Sequence, residues 1–166
     1  MSKVILFITG MSGTGKTTIL SHLNQKGYKT IETDDHPLVK KTYNPVLKET
    51  DWIWDKHKIQ SILNDHTEGI LFLSGAVSNQ SHFYAYFDEV ICFSAPLETI
   101  LSRVEKRTTN PYGKTEAERN DIIDNFERFA GIIQASATVT IDTTRDIHQN
   151  VKEIEALALL RLSNAE

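Results

Sequence analysis

A chain of 166 residues with 40% hydrophobic and 24% charged side chains is long enough to bury a core and ordinary in composition for a globular protein. Eighteen basic against 22 acidic side chains leave a formal charge of −4, so nothing draws nucleic acid or an anionic membrane in general and any polyanion must be held locally. The lone cysteine, Cys92, rules out an intrachain disulfide. No secretory apolar segment follows Met1-Ser2-Lys3 and no apolar run reaches membrane-spanning length, so the expectation is one cytoplasmic domain over residues 1–166, with no membrane, nucleic-acid or obligate protein partner.

The first strand is expected at Val4-Ile5-Leu6-Phe7-Ile8. It runs into Gly10-Met11-Ser12-Gly13-Thr14-Gly15-Lys16-Thr17, which has the spacing G-x-x-x-x-G-K-[ST] of a phosphate-binding loop. Glycines let successive N–H groups turn inward around a polyphosphate, the lysine reaches the β/γ oxygens, and the last hydroxyl joins Mg²⁺. Gly10, Ser12, Gly13, Thr14, Gly15, Lys16, Thr17 and Thr18 are therefore the candidate nucleotide-binding residues. A helix over about 16–26 follows, with Gly27 at its C-terminal cap, then a strand over 29–33 that ends in the acids Glu32, Asp34 and Asp35.

From His36 to about Thr50 the sequence is polar and turn-rich, with Pro37 and Pro45 limiting regular structure. Trp52, Ile53, Ile59, Ile62 and Leu63 predict an amphipathic helix ending near Gly69. Two tryptophans at alternate helical positions cannot both face a core, which makes Trp54 a candidate for the wall of a substrate pocket. Ile70 to Leu73 predicts a buried parallel strand leading into Ser74-Gly75, Ser78-Asn79-Gln80 and the aromatic segment Phe83 to Phe87.

Val90 to Phe93 is the fourth strand, followed by a helix through Leu97, Ile100, Leu101 and Val104. Arg103, Lys106, Arg107 and Lys114 surround the turn Asn110-Pro111-Tyr112-Gly113, a basic loop suited to closing over phosphates and neutralising charge in a transition state. Thr115 and Glu118 form a capping box for a helix whose core face is Ile122, Ile123, Phe126, Phe129 and Ile133. The last strand, Thr138 to Ile141, ends in Asp142-Thr143-Thr144, and a helix through Ile147, Val151, Ile154 and Leu157 closes the chain.

Five strands alternating with helices predict an α/β fold with a parallel sheet covered on both faces. Ligands bind such sheets beyond the carboxyl ends of the strands, where the phosphate loop, the acidic cluster, Ser74-Gly75 and Asp142-Thr143 converge. Transfer of a phosphoryl group to a hydroxyl needs one group to orient the acceptor and another to order Mg²⁺ or its waters. Asp34 is the candidate for the first role, with Thr17, Glu32 and Asp34 as candidate metal-side groups and Asp35 beside them. No acid ends the strand at Leu73, which argues against a motor-type or switch-type hydrolase.

In GMSGTGKT (Gly10–Thr17), ETDD (Glu32–Asp35), LSGAVSNQ (Leu73–Gln80) and RTTNPYGKT (Arg107–Thr115), the chain resembles the small P-loop kinases, a group that includes shikimate, gluconate and nucleoside monophosphate kinases. The last two segments are most similar to bacterial ATP-binding proteins described as shikimate-kinase-like or adenylate-kinase-like. The likeness covers nearly the whole chain in element order. It implies a three-layer P-loop fold, ATP with Mg²⁺, a small lid over about 107–115 and an acceptor-binding region over about 36–64.

By the same likeness Asp142 and Thr143 lie near the nucleotide; among the residues themselves Arg103 is a further candidate for nucleotide contact, Asp34, Asp35, Trp54, Gly75, Asn79 and Lys114 for acceptor contact, and Lys16, Asp34 and Arg107 for catalysis. The chain departs from shikimate kinases in carrying Glu32 at the first acidic position and Ser74-Gly75-Ala76 in place of three glycines. It lacks the Asp-Gly-Phe-Pro-Arg turn of the nucleoside monophosphate kinases. The expected activity is ATP-dependent phosphorylation of a small-molecule hydroxyl. The alternatives are a nucleoside or nucleoside monophosphate kinase and a nucleotide-binding regulatory module with little catalysis.

Overall fold

Strand β1 (Lys3–Thr9) is the axis of the molecule, and its alternating side chains divide the interior in two. The computed structural model describes residues 2–166. Val4, Leu6 and Ile8 face one layer, formed by α1 (Lys16–Gln25) and α5 (Ile147–Asn164). Ile5 and Phe7 face the other, where α2 (Lys56–Asp65) and the aromatic 3₁₀ segment Gln80–Tyr86 cover the sheet. All of these β1 side chains are at most 2% exposed, so a one-residue slip of register would exchange the two cores.

The sheet has five parallel strands in the order β2-β5-β1-β6-β7, where β2 is Lys29–Glu32, β5 is Gly69–Ser74, β6 is Glu89–Ser94 and β7 is Val139–Asp142. Ile8 pairs with Ser74, and Thr9 with Cys92, so the loops after β1, β5 and β6 open along one rim. A third cluster beyond that rim joins α3 (Leu97–Lys106) and α4 (Glu116–Ser136): Ala95, Ile100, Val104 and Ile122 pack with Met11, Tyr112 and Phe126. The Thr115–Glu118 capping box is formed at the start of α4. Of the core face expected for that helix, Ile122 is buried, while Ile123, Phe126, Phe129 and Ile133 are half-buried. Among the described residues no helix is long and apolar enough to cross a membrane.

One stretch differs from the sequence expectation. Residues 39–54 form a β-hairpin, with β3 (Val39–Asn44) antiparallel to β4 (Glu49–Trp54), where irregular chain and the start of a helix were expected. Asn44 Oδ1 accepts from the N–H groups of Val46 and Leu47, and Lys48 takes the left-handed φ of 54° that closes the turn. Asp55 then caps α2, its carboxylate accepting from the N–H groups of His57 and Lys58, so Trp52 and Ile53 precede the helix instead of opening it.

Candidate active site

The phosphate loop leaves β1 and enters α1 at Gly15, whose left-handed φ of 100° suits a residue without a Cβ. Gly15 makes no side-chain cap, so the first-turn N–H groups of Lys16, Thr17 and Thr18 have no partner within the helix. Those groups and the positive end of the helix dipole form an anion site. Thr14, buried, donates from Oγ1 to Met11 O at 2.7 Å and holds the loop closed on itself. Ser12 is half-buried in the loop; Thr17 and Thr18 are exposed on the first turn.

Lys16 folds back, its Nζ donating to Gly10 O at 2.7 Å and Met11 O at 3.1 Å. Burial pushes its pKa below the ordinary lysine value, the carboxylates of Asp34 and Glu32 pull it up, and the Arg107 guanidinium pushes it further down. Lys16 thus lies within electrostatic reach of both Asp34 and Arg107, which the chain separates by 73 positions.

Asp34 lies two residues beyond β2, and its Oδ1 accepts from the N–H of Ala76 at 2.8 Å. Its side chain opens to solvent on one side, yet the protein around the carboxyl raises its pKa, an effect that Lys16 and the Ala76 N–H oppose and that Asp35 and Glu32 add to. Gly75 permits this close approach. A Cβ there would overlap Thr33 Oγ1 and stand 3.0 Å from Asp34 Oδ1. Thr33 is fully buried, donating to Ser74 O at 2.7 Å and accepting from Trp54 Nε1 at 3.0 Å.

Other candidate residues prove to be committed to the protein itself. Trp54 is 0% exposed, packed edge-on against Phe7 and Phe83, so it supports Thr33 from below instead of lining a pocket. Its position on a strand is the reason: β4 ends where the hairpin meets the core. Asn79 spends its amide on the main chain of Trp54, accepting from its N–H at 2.9 Å and donating to its C=O at 3.2 Å. Lys114 donates to the carbonyls of Val104, Glu105 and Arg107, closing the C-terminal end of α3. None of the three presents a free polar group to an acceptor.

Arg103 fastens the phosphate loop to the loop after β7. Its guanidinium donates to Gly13 O, Thr14 O, Thr143 Oγ1 and Thr143 O. Asp142 accepts from the N–H and hydroxyl of Thr144, and these two bonds hold its pKa below the usual carboxylate value. Arg107 donates from a terminal nitrogen to Tyr112 O at 2.8 Å, while its buried Nε has no hydrogen-bond partner. An orphaned cationic donor within electrostatic reach of Lys16 is unusual in a protein interior and suits an anion.

The free first-turn N–H groups, the Lys16 ammonium and the Arg107 Nε–H make a donor set that fits a polyphosphate. Among the described residues no group of three or more His, Cys, Asp or Glu side chains could hold a metal unaided. Such a site fits Mg²⁺, which is commonly bound through phosphates and water with one or two protein ligands. Sequence reasoning missed the supporting parts: the Ala76 N–H, the Thr33 hydroxyl, and the Glu49–Arg128 ion pair that ties the hairpin tip to α4 at 3.1 Å. The one available signal was Asn44-Pro45 between two β-prone runs.

Comparison with known proteins agrees with this geometry. A family model described as an AAA domain matches residues 6–124, well over half of the chain. A search of curated proteins finds no match. Among solved structures, TT1252 from Thermus thermophilus superposes with a TM-score of 0.64 at 15% identity, covering 94% of this chain and 98% of its own. Shikimate kinase from Acinetobacter baumannii, in complex with shikimate, superposes at 0.62 and 18% identity, covering 95% and 94%. A gluconokinase from Sinorhizobium meliloti 1021 does so at 0.61 and 15%, covering 97% and 94%. Over residues 6–124, from β1 into α4, the chain belongs to the AAA domain family, and it has the α/β fold of the P-loop small-molecule kinases.

Proposed function

We propose that the protein is an ATP-dependent, Mg²⁺-requiring kinase that phosphorylates a hydroxyl of a small molecule. What carries the reading is that Asp34, just beyond β2, and Arg107, just beyond α3, both lie within electrostatic reach of the Lys16 ammonium at the start of α1. Bound ATP with Mg²⁺ would supply the γ-phosphoryl group and a bridging positive charge.

The first-turn N–H groups and Lys16 would hold the phosphates, and Thr17, exposed on the first turn of α1, would offer its hydroxyl to the metal. Asp34 orients the acceptor hydroxyl and takes its proton as the oxygen attacks; its raised pKa suits a group that gains a proton late in the step. Arg107, with its unused Nε–H, offsets charge on the transferring group. Glu32 and Asp35 would order water bound to the metal.

The test is Asp34→Asn. It should lower the rate of ADP release with acceptor by at least about 10², while calorimetry with Mg-ATP returns an affinity close to that of the parent. Undiminished turnover by the variant would refute the role of Asp34, and no heat with Mg-ATP for the parent would refute the kinase reading itself.

A further inference from the structure

Between α4 and the C-terminal ends of β1 and β6 lies a cavity of about 330 Å³, at the small end of the range for small-molecule sites. Cys92 and Ala95 form its floor, Met11 of the phosphate loop one wall, and Phe126, Glu127 and Gln134 of α4 the other. It adjoins the phosphate loop. Gly10 and Met11, whose carbonyls hold the Lys16 ammonium, both border it, and Cys92 is within electrostatic reach of Lys16. α4 belongs to the same side of the sheet as α2 and the hairpin, through Ala137 in that core and the Glu49–Arg128 pair at the hairpin tip.

The charge in this cavity has one sign. Among the described residues no lysine, arginine or histidine lines it, and Glu127 is the one carboxylate that does. Three basic groups on neighbouring elements are engaged elsewhere: Arg128 with Glu49 and Asp124, Lys114 with the end of α3, and Arg103 with Thr143 and the loop carbonyls. A carboxylate or phosphate seated against the α4 wall would meet Glu127, which no cation of the lining offsets. An ammonium group would gain a charge-assisted hydrogen bond, while Met11 and Phe126 cover an apolar body.

The structure assigns to this cavity a hydroxyl compound that carries an ammonium group, in preference to one that carries a carboxylate or a phosphate. The assignment rests on the phosphotransfer reading, since it identifies the acceptor of that reaction.

Two matched series test it on the whole protein with Mg²⁺ and a non-hydrolysable ATP analogue: glucosamine, glucose and gluconate, and phenylethanolamine, 1-phenylethanol and mandelate. The expected result is that the amine member binds tightest in each series. Glu127→Gln should weaken the amine by about tenfold and leave the neutral member unchanged, and Glu127→Lys should invert the order. Equal or tighter binding of gluconate or mandelate by the parent overturns the assignment, as does an amine affinity indifferent to Glu127→Lys. Analogue binding is read in the same titrations: its absence removes the kinase reading, whereas its presence with an anionic preference removes the acceptor assignment alone.

Discussion

Asp34 shows how a single carboxyl can be useful and unfavourable at once. Its pKa is raised in the fold chiefly by burial, so the ionised form is disfavoured relative to the unfolded chain. The stability associated with the protonated form is therefore complete below the ordinary carboxylate value and is lost as pH rises through the raised folded value. At pH 7, above the ordinary carboxylate value, the ligand-free protein carries that loss. Asp34→Asn should then raise the melting temperature at pH 7 by about 2 °C, and the gain should vanish toward pH 3. Scanning calorimetry at the two pH values decides it, and an equal or lower melting temperature at pH 7 would contradict the account. The same substitution is expected to remove transfer, so stability and activity should move in opposite directions.

At the scale of elements, the buried partner of Asp34 is the hairpin. Asn79 holds both main-chain polar groups of Trp54, and Trp54 in turn donates to Thr33 one residue before Asp34. Asn79→Ala would leave a buried N–H and C=O unpaired, a loss of about 2 kcal/mol measurable by urea denaturation. A change under about 0.5 kcal/mol would mean that the hairpin base is held by packing alone. These elements mark the limit of what the sequence made legible. The loop from Gly10 to Thr17, the five strands and the capping box at Thr115 were readable because spacing, alternation and local hydrogen bonding are encoded within a few residues. The hairpin was not, because Trp52 and Ile53 fall in helical phase with Ile59, Ile62 and Leu63, and only the capping carboxylate of Asp55 breaks the phase. Residues such as Asn79 and Lys114 were legible as polar groups near the site, but whether such a group faces a ligand or the main chain depends on partners 25 and 10 positions away.

For the whole molecule, the sheet order places five strand ends along one rim and leaves the two apolar layers on either side undisturbed by the site. Nucleotide that binds the folded form alone should stabilise it by mass action, about 2.7 kcal/mol at a ligand concentration a hundred times the dissociation constant. For a chain of this size that corresponds to a rise in melting temperature of about 5–10 °C. Mg-ATP added during thermal unfolding should produce it and Lys16→Ala should reduce it; no shift in the parent would oppose nucleotide binding at this loop.

The ion pair between Glu49 and Arg128 joins two walls that otherwise belong to different parts of the chain. Both partners remain in water, so the bond is weak and competes with dissolved ions. The tie between the hairpin tip and α4 is therefore electrostatic, and rising ionic strength should loosen it while both apolar cores stay intact.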